Sequence, residues 1–297
     1  MPATLPDSPS LGAGLRVVPS GAALAADIEG VDLGAPLDAA AVEAIKRAWA
    51  DHSVLRFRGQ RLDDAHLMAF SEHFGTLDGV PIASVNPNEQ AQTGFVTVIS
   101  NIVVDGRSIG GLGAYESIWH TDMSYNPHPP YASFLFSIEV PQSGGDTGFA
   151  NMAAAYDALS PEMKARIAGL SCRHDASRNS AGELRRGYPE VTDPRETPGA
   201  VHPIAIRHPV TGRRCLYLGR RKNANIPGLP LEESEALLDA LWAHATQARF
   251  TWYQQWRVGD LVMWDNFATM HRRDAFDPDS RRLMRRTQVT GLSYQAG

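Results

Sequence analysis

The chain is poor in cysteine: Cys172 and Cys215 are the only two in 297 residues. The two could in principle pair, but two thiols in a chain this long make no disulfide framework. No Cys-x-x-Cys or His-x-x-x-His pair appears either, so the common zinc signatures are missing. Both cysteines are expected as buried thiols. No run approaches the roughly 18 apolar residues of a membrane span, and the first residues lack the basic start and apolar core of a secretion signal. The expectation is a soluble, cytoplasmic protein with no membrane partner. An excess of positive charge is also lacking. A net charge of −5 and a pI near 6.1 give no general attraction to nucleic acid or to an anionic lipid surface.

What is present suits one sizeable core, since 43% of the residues are hydrophobic. Residues 1–14, rich in Pro, Ser and Gly, read as a disordered tail, and 15–297 as a single domain. Leu15 to Val18 and Ala23 to Ile28 suit a hairpin. Asp38 and Asp63 can each cap a helix, the first burying Val42, Ile45 and Trp49, the second Leu67, Phe70 and Phe74, with Gly75 placed to stop it. Strands are expected near 54–57, 95–100, 118–123, 131–140, 202–207, 215–218, 250–256 and 261–265, and helices near 152–159, from Ser160-Pro161, and over 231–245. Residues 173–200 read as an irregular excursion. Breaker clusters between Val80 and Gly113 make 80–117 a candidate lid over whatever the following strand carries. Short strands interrupted by helices fit a mainly β fold with flanking helices, a double-stranded β-helix of the jelly-roll, cupin-like type.

Trp119-His120-Thr121-Asp122 carries the first chemistry. If Ile118 to Met123 is a strand, His120 and Asp122 point to one face. A second imidazole from distant His271 would complete a two-histidine, one-carboxylate set, which leaves coordination positions open and favours non-haem Fe(II). His128, His174, His202, His208 and His244 are candidates by residue type alone, and we read each as a turn or surface residue; His128 lies between prolines and His208 precedes Pro209. In 281–289 four arginines alternate, so that Arg282, Met284 and Arg286 share one strand face while Arg281, Leu283 and Arg285 share the other. An inward guanidinium needs an anion to offset its desolvation, and a carboxylate fits it bidentately.

Together the Trp-His-Thr-Asp run, Gly144-Gly145-Asp146-Thr147, Trp264-Asp265-Asn266, His271 and the arginine strand resemble the taurine dioxygenase-like (TauD/TfdA) family of Fe(II)/2-oxoglutarate-dependent dioxygenases, from about Leu15 to about Gly291. The resemblance implies that His120, Asp122 and His271 are iron ligands. It implies that Thr147 and Arg282 hold the far carboxylate of the cosubstrate 2-oxoglutarate, and that Arg286 contacts an anionic group on the substrate. The implied reaction uses O2 to hydroxylate a C–H bond of a small, anionic organic molecule, with release of succinate and CO2. Asp122 argues against halogenation, because halogenating relatives have a small residue there. Taurine itself is not expected: no histidine follows Phe74-Gly75, and Glu116 stands where that enzyme has asparagine. A zinc-dependent hydrolase and a catalytically silent small-anion-binding protein are the competing readings, and a homo-oligomer is compatible with all three.

Overall fold

Strand alternation sorts the chain into two sheets. Every residue of Leu261–Asp265 is buried, because Leu261 and Met263 join the core beneath the helices while Val262 and Trp264 join the core between the sheets. The same rule divides Ala132–Glu139, where Phe134 and Phe136 face the helices and Leu135 faces inward. The structure, a computed structural model, describes residues 14–79, 94–114, 117–219 and 222–297. The expected tail therefore lies outside the described residues except for Gly14, as do 80–93 and 115–116 of the candidate lid.

The larger sheet runs Arg16–Pro19, Ala26–Glu29, Val54–Phe57, Leu261–Asp265, Ala132–Glu139, Leu283–Thr290, Thr97–Ser100 and Gly111–Leu112, with Thr76–Leu77 also paired to Leu283–Thr290. The smaller runs Thr251–Gln254, Thr147–Asn151, Thr269–Arg273 and Ser117–His120. Phe149 from the smaller sheet meets Leu135, Val262, Trp264 and Met284 from the larger, giving the jelly-roll core. Among the described residues no helix is long and apolar enough to cross a membrane.

Two helices cover the outer face of the larger sheet. Ala39–His52 starts where the Asp38 side chain accepts a hydrogen bond from Ala41 N–H and buries Val42, Ile45 and Trp49. Asp64–Glu72 starts at a reciprocal cap between Asp63 and His66. Its Phe70 makes edge contacts with Phe57, Phe74 and Phe134, each aromatic pair adding about 0.5–1.5 kcal/mol beyond area burial. This helix ends before Gly75 rather than at it. The glycine answers a different need, since a Cβ there would lie 2.3 Å from the Thr290 carbonyl oxygen.

The helices Met152–Asp157 and Pro161–Ile167 start at side-chain caps from Asn151 and Ser160, while Leu231–Ala245 forms on its apolar spacing without a side-chain cap. In 94–114 the structure adds pairing that the sequence pattern did not indicate: Val103–Val104 with Arg107–Ser108, and Gly111–Leu112 alongside Thr97–Ser100. The 173–200 excursion leaves and rejoins the fold at one small ladder, Ser171–Arg173 against Val201–Pro203. It packs back on the chain after Asp122, with Arg185 4.0 Å over the Tyr125 ring.

Candidate metal and cosubstrate site

His271 lies mid-strand in Thr269–Arg273 and pairs directly with His120 on Ser117–His120. The expected strand to Met123 is a correction: it stops at His120, and Asp122 sits in the turn beyond, where Met123 has φ 52°. Ser117–His120 is the edge of its sheet, so the chain is free to leave the ladder, and the Pro127-His128-Pro129-Pro130 run cannot extend one. The turn, not strand alternation, brings the carboxylate beside the imidazole.

The convergence itself holds. Asp122 Oδ1 lies 3.7 Å from His120 Nε2 and 3.7 Å from His271 Nε2. These donor atoms can share one cation at roughly 2.0–2.2 Å from each after small adjustments. Among the described residues they are the one His/Cys/Asp/Glu group with ligand atoms all within 4.8 Å. His120 Nδ1 is 2.7 Å from the Ile118 carbonyl oxygen, an acceptor only. Nδ1 therefore carries the proton and donates, leaving the Nε2 lone pair for a metal. The His271 ring is held between Phe149, at 6.0 Å, and Trp264, at 4.9 Å.

A hydrogen-bonded chain explains the Trp264-Asp265-Asn266 motif. Trp264 Nε1 donates to Asn266 Oδ1, Asn266 Nδ2 donates to Ser133 Oγ, and Ser133 Oγ donates to Asp122 Oδ2 at 2.8 Å. Gln288 Nε2 donates to both Ser133 Oγ and Asp122 Oδ2. Asp265 instead shapes the turn into the His271 strand, accepting from the Phe267 and Ala268 amides and bonding His208 Nε2 at 2.7 Å. His208 is thus a turn residue as expected, though a buried one. Burial opposes the Asp122 charge, but Arg286 first, then His271 and His120, outweigh it and hold the carboxyl well below the ordinary carboxylate range. The group is ionised and ready to bind a cation.

Arg282 is 2% exposed, and its Nε and Nη1 have no hydrogen-bond partner. Its backbone is pinned on both sides, the amide donating to Asn101 Oδ1 and the carbonyl accepting from Ser100 Oγ. Burial, and then the Arg273 charge, pull the guanidinium down to about 9. It remains a cation at neutral pH. Arg273, itself pulled down to about 10 by burial, lies directly across the ladder from Thr147. Both guanidiniums sit over the Phe276 ring, at 5.6 and 5.9 Å. Thr147 Oγ1 accepts from Trp256 Nε1 at 3.0 Å, which leaves its own proton to donate. The Gly144-Gly145 turn has φ of +75° and +69°, and a Cβ on Gly144 would lie 2.7 Å from the Ala275 oxygen.

The alternation expected in the arginine segment is observed. Arg281 and Arg285 face outward to Glu139 and Asp64. Arg286 points inward, its Nη1 3.3 Å from Asp122 Oδ1. Sequence reasoning missed Ser133, Trp256, Arg273 and Gln288. Gln288 could have been found, as it lies two residues beyond Arg286 on the inward face, and Arg273 two beyond His271. Nothing local marks Ser133 or Trp256.

Residues 16–288 match the family described as "Taurine catabolism dioxygenase TauD, TfdA family". The chain is 34% identical over 284 residues to pentalenolactone F synthase of Streptomyces arenae, covering 89% of this chain and 91% of that protein. It is 36% identical over 271 residues to the alpha-ketoglutarate-dependent 2,4-dichlorophenoxyacetate dioxygenase of Cupriavidus pinatubonensis, covering 88% and 93%. The crystal structure of AAD-2 in complex with Mn(II) and N-oxalylglycine superposes with a TM-score of 0.77 at 32% identity, covering 95% of this chain and 99% of that one. The protein belongs to the TauD/TfdA family, whose members are 2-oxoglutarate-dependent dioxygenases.

Proposed function

We propose that the protein is an Fe(II)- and 2-oxoglutarate-dependent dioxygenase that uses O2 to hydroxylate a C–H bond of a small anionic organic substrate, releasing succinate and CO2. The observation that carries this reading is the approach of one ionised carboxylate and two imidazole Nε2 atoms to a common point. In that reading His120, Asp122 and His271 are the ligands, and three protein donors leave positions for exchangeable ones. Fe(II), when bound, supplies the oxidising chemistry.

The chain's own part is positioning and charge. Ser133 and Gln288 fix Asp122 Oδ2, so Oδ1 stays turned toward the imidazoles. Arg282 supplies a buried cation with N–H groups free to donate to the far carboxylate of 2-oxoglutarate, and Thr147, oriented by Trp256, adds a hydroxyl donor. N-oxalylglycine, named in the AAD-2 complex, is like 2-oxoglutarate a dicarboxylate with an oxalyl end, which supports this reading. Arg286 offers positive charge on the same inward face as Arg282, which suits an anionic substrate such as an aryloxyalkanoate. We treat 15–297 as one functional unit, because strands near both ends of that range, Arg16–Pro19 and Leu283–Thr290, join one sheet.

The test is a succinate-release screen over organic acids, sulfonates, sulfate esters, aryloxyalkanoates and amino acids, with and without Fe(II) and O2. Succinate that requires both supports the proposal. Turnover supported by zinc without O2 would replace it with a hydrolase.

A further inference from the structure

Resting on the ligand assignment above, Arg286 raises a separate question about the metal centre. Its guanidinium does not sit clear of the triad. Nη1 lies 3.3 Å from Asp122 Oδ1 and 3.4 Å from Oδ2. Oδ1 is also the oxygen nearest both imidazoles, so the position that would ligate a metal already has a cation beside it. Asp122 is 4% exposed, and an ionised carboxylate there is costly without a counter-charge.

The carboxylate does not need Arg286 to stay in place. Ser133 and Gln288 hold Oδ2 from the other side, at 2.8 and 3.2 Å. Arg286 therefore contributes charge more than geometry. A divalent cation entering the triad meets a like charge on the same carboxylate, and the two ions oppose each other. Arg286 has a second carboxylate within electrostatic range, the half-buried Asp78, whose amide donates to the Gln288 carbonyl.

We propose that Arg286 is the resident counter-ion of Asp122 in the metal-free protein: it stabilises the empty site and lowers its affinity for the metal. It acts on the metal through the charge of Asp122, whatever it later does for substrate. The consequence is that removing its charge should strengthen metal binding, the reverse of what losing a supporting hydrogen bond does.

The test titrates metal-free protein with Mn(II) against a competing chelator, with thermal melting of the metal-free and Mn(II)-loaded forms. Arg286→Gln is expected to bind Mn(II) about fivefold or more tightly than the parent. Its metal-free form should melt lower, while the two loaded forms melt close together. Arg286→Lys, which keeps the charge, should stay near the parent affinity. Unchanged or weaker Mn(II) binding by Arg286→Gln overturns the proposal, and so does equal tightening in Arg286→Lys. His271→Ala separates this from the ligand assignment. If it binds Mn(II) as well as the parent, the proposed metal site fails; if it loses Mn(II) while Arg286→Gln is unchanged, only the counter-ion role fails.

Discussion

Replacing Arg282 by methionine should weaken 2-oxoglutarate binding severely without harming the protein that lacks 2-oxoglutarate. The side chain is buried, protonated at neutral pH, close enough to Arg273 to be repelled by it, and without a hydrogen-bond partner at Nε or Nη1. In the empty protein it is a net cost, since desolvation is uncompensated at those atoms, and an unbranched apolar replacement is neutral or stabilising by up to about 1–4 kcal/mol. In the complex the same guanidinium meets a carboxylate, and breaking such a shielded pair costs about 3–5 kcal/mol, a loss of roughly two to three and a half decades in affinity. Calorimetric titration of Mn(II)-loaded protein with 2-oxoglutarate reads the loss of affinity, and thermal melting without 2-oxoglutarate reads the change in stability. A 2-oxoglutarate Kd within threefold of the parent would refute the assignment. So would a large fall in melting temperature with affinity retained, which would make Arg282 a structural residue.

Thr147→Val should weaken 2-oxoglutarate by about 0.5–1.5 kcal/mol, the worth of one hydrogen bond, and Trp256→Phe should do the same to a smaller extent by leaving the threonine hydroxyl unoriented; the same titration measures both. His120→Ala and Asp122→Ala should each abolish tight Mn(II) or Fe(II) binding, and near-normal metal affinity in either would disprove the ligand set. Ser133→Ala should weaken the metal by about 10- to 100-fold while the fold stays intact by circular dichroism, because it removes the shortest hydrogen bond on Asp122. Gly144→Ala should lower stability by about 1–3 kcal/mol in denaturant melts, since it combines φ of +75° with a Cβ 2.7 Å from the Ala275 oxygen.

Much of the fold was legible in the sequence wherever a local rule decides it. Asp38, Asp63 and Ser160 cap helices because their side chains reach amides three residues ahead. The inward pair Met284 and Arg286 follows from the two-residue period of the strand Leu283–Thr290, and Arg282 is buried just before that strand begins. The identities of His120, Asp122 and His271 were also legible, since the residue types and the segments around them carry the resemblance. Their geometry was not. A strand through Asp122 was the natural local reading, but whether an edge strand continues depends on its neighbour and on the turn beyond it, which lie outside any short window.

Tertiary structure alone decided the partners of the charged groups. Asp122 takes its hydrogen bonds from Ser133, 11 residues on, and from Gln288, 166 residues away. Thr147 takes its own from Trp256, 109 residues away. Gly75 shows the same limit: its local reading is a helix stop, whereas its structural need is a backbone passing at Thr290. Capping and alternation act between near neighbours, so the sequence displays them directly. The field on a buried carboxylate is set by whichever atoms the closed sheets bring within a few ångströms, and only the folded chain contains that information.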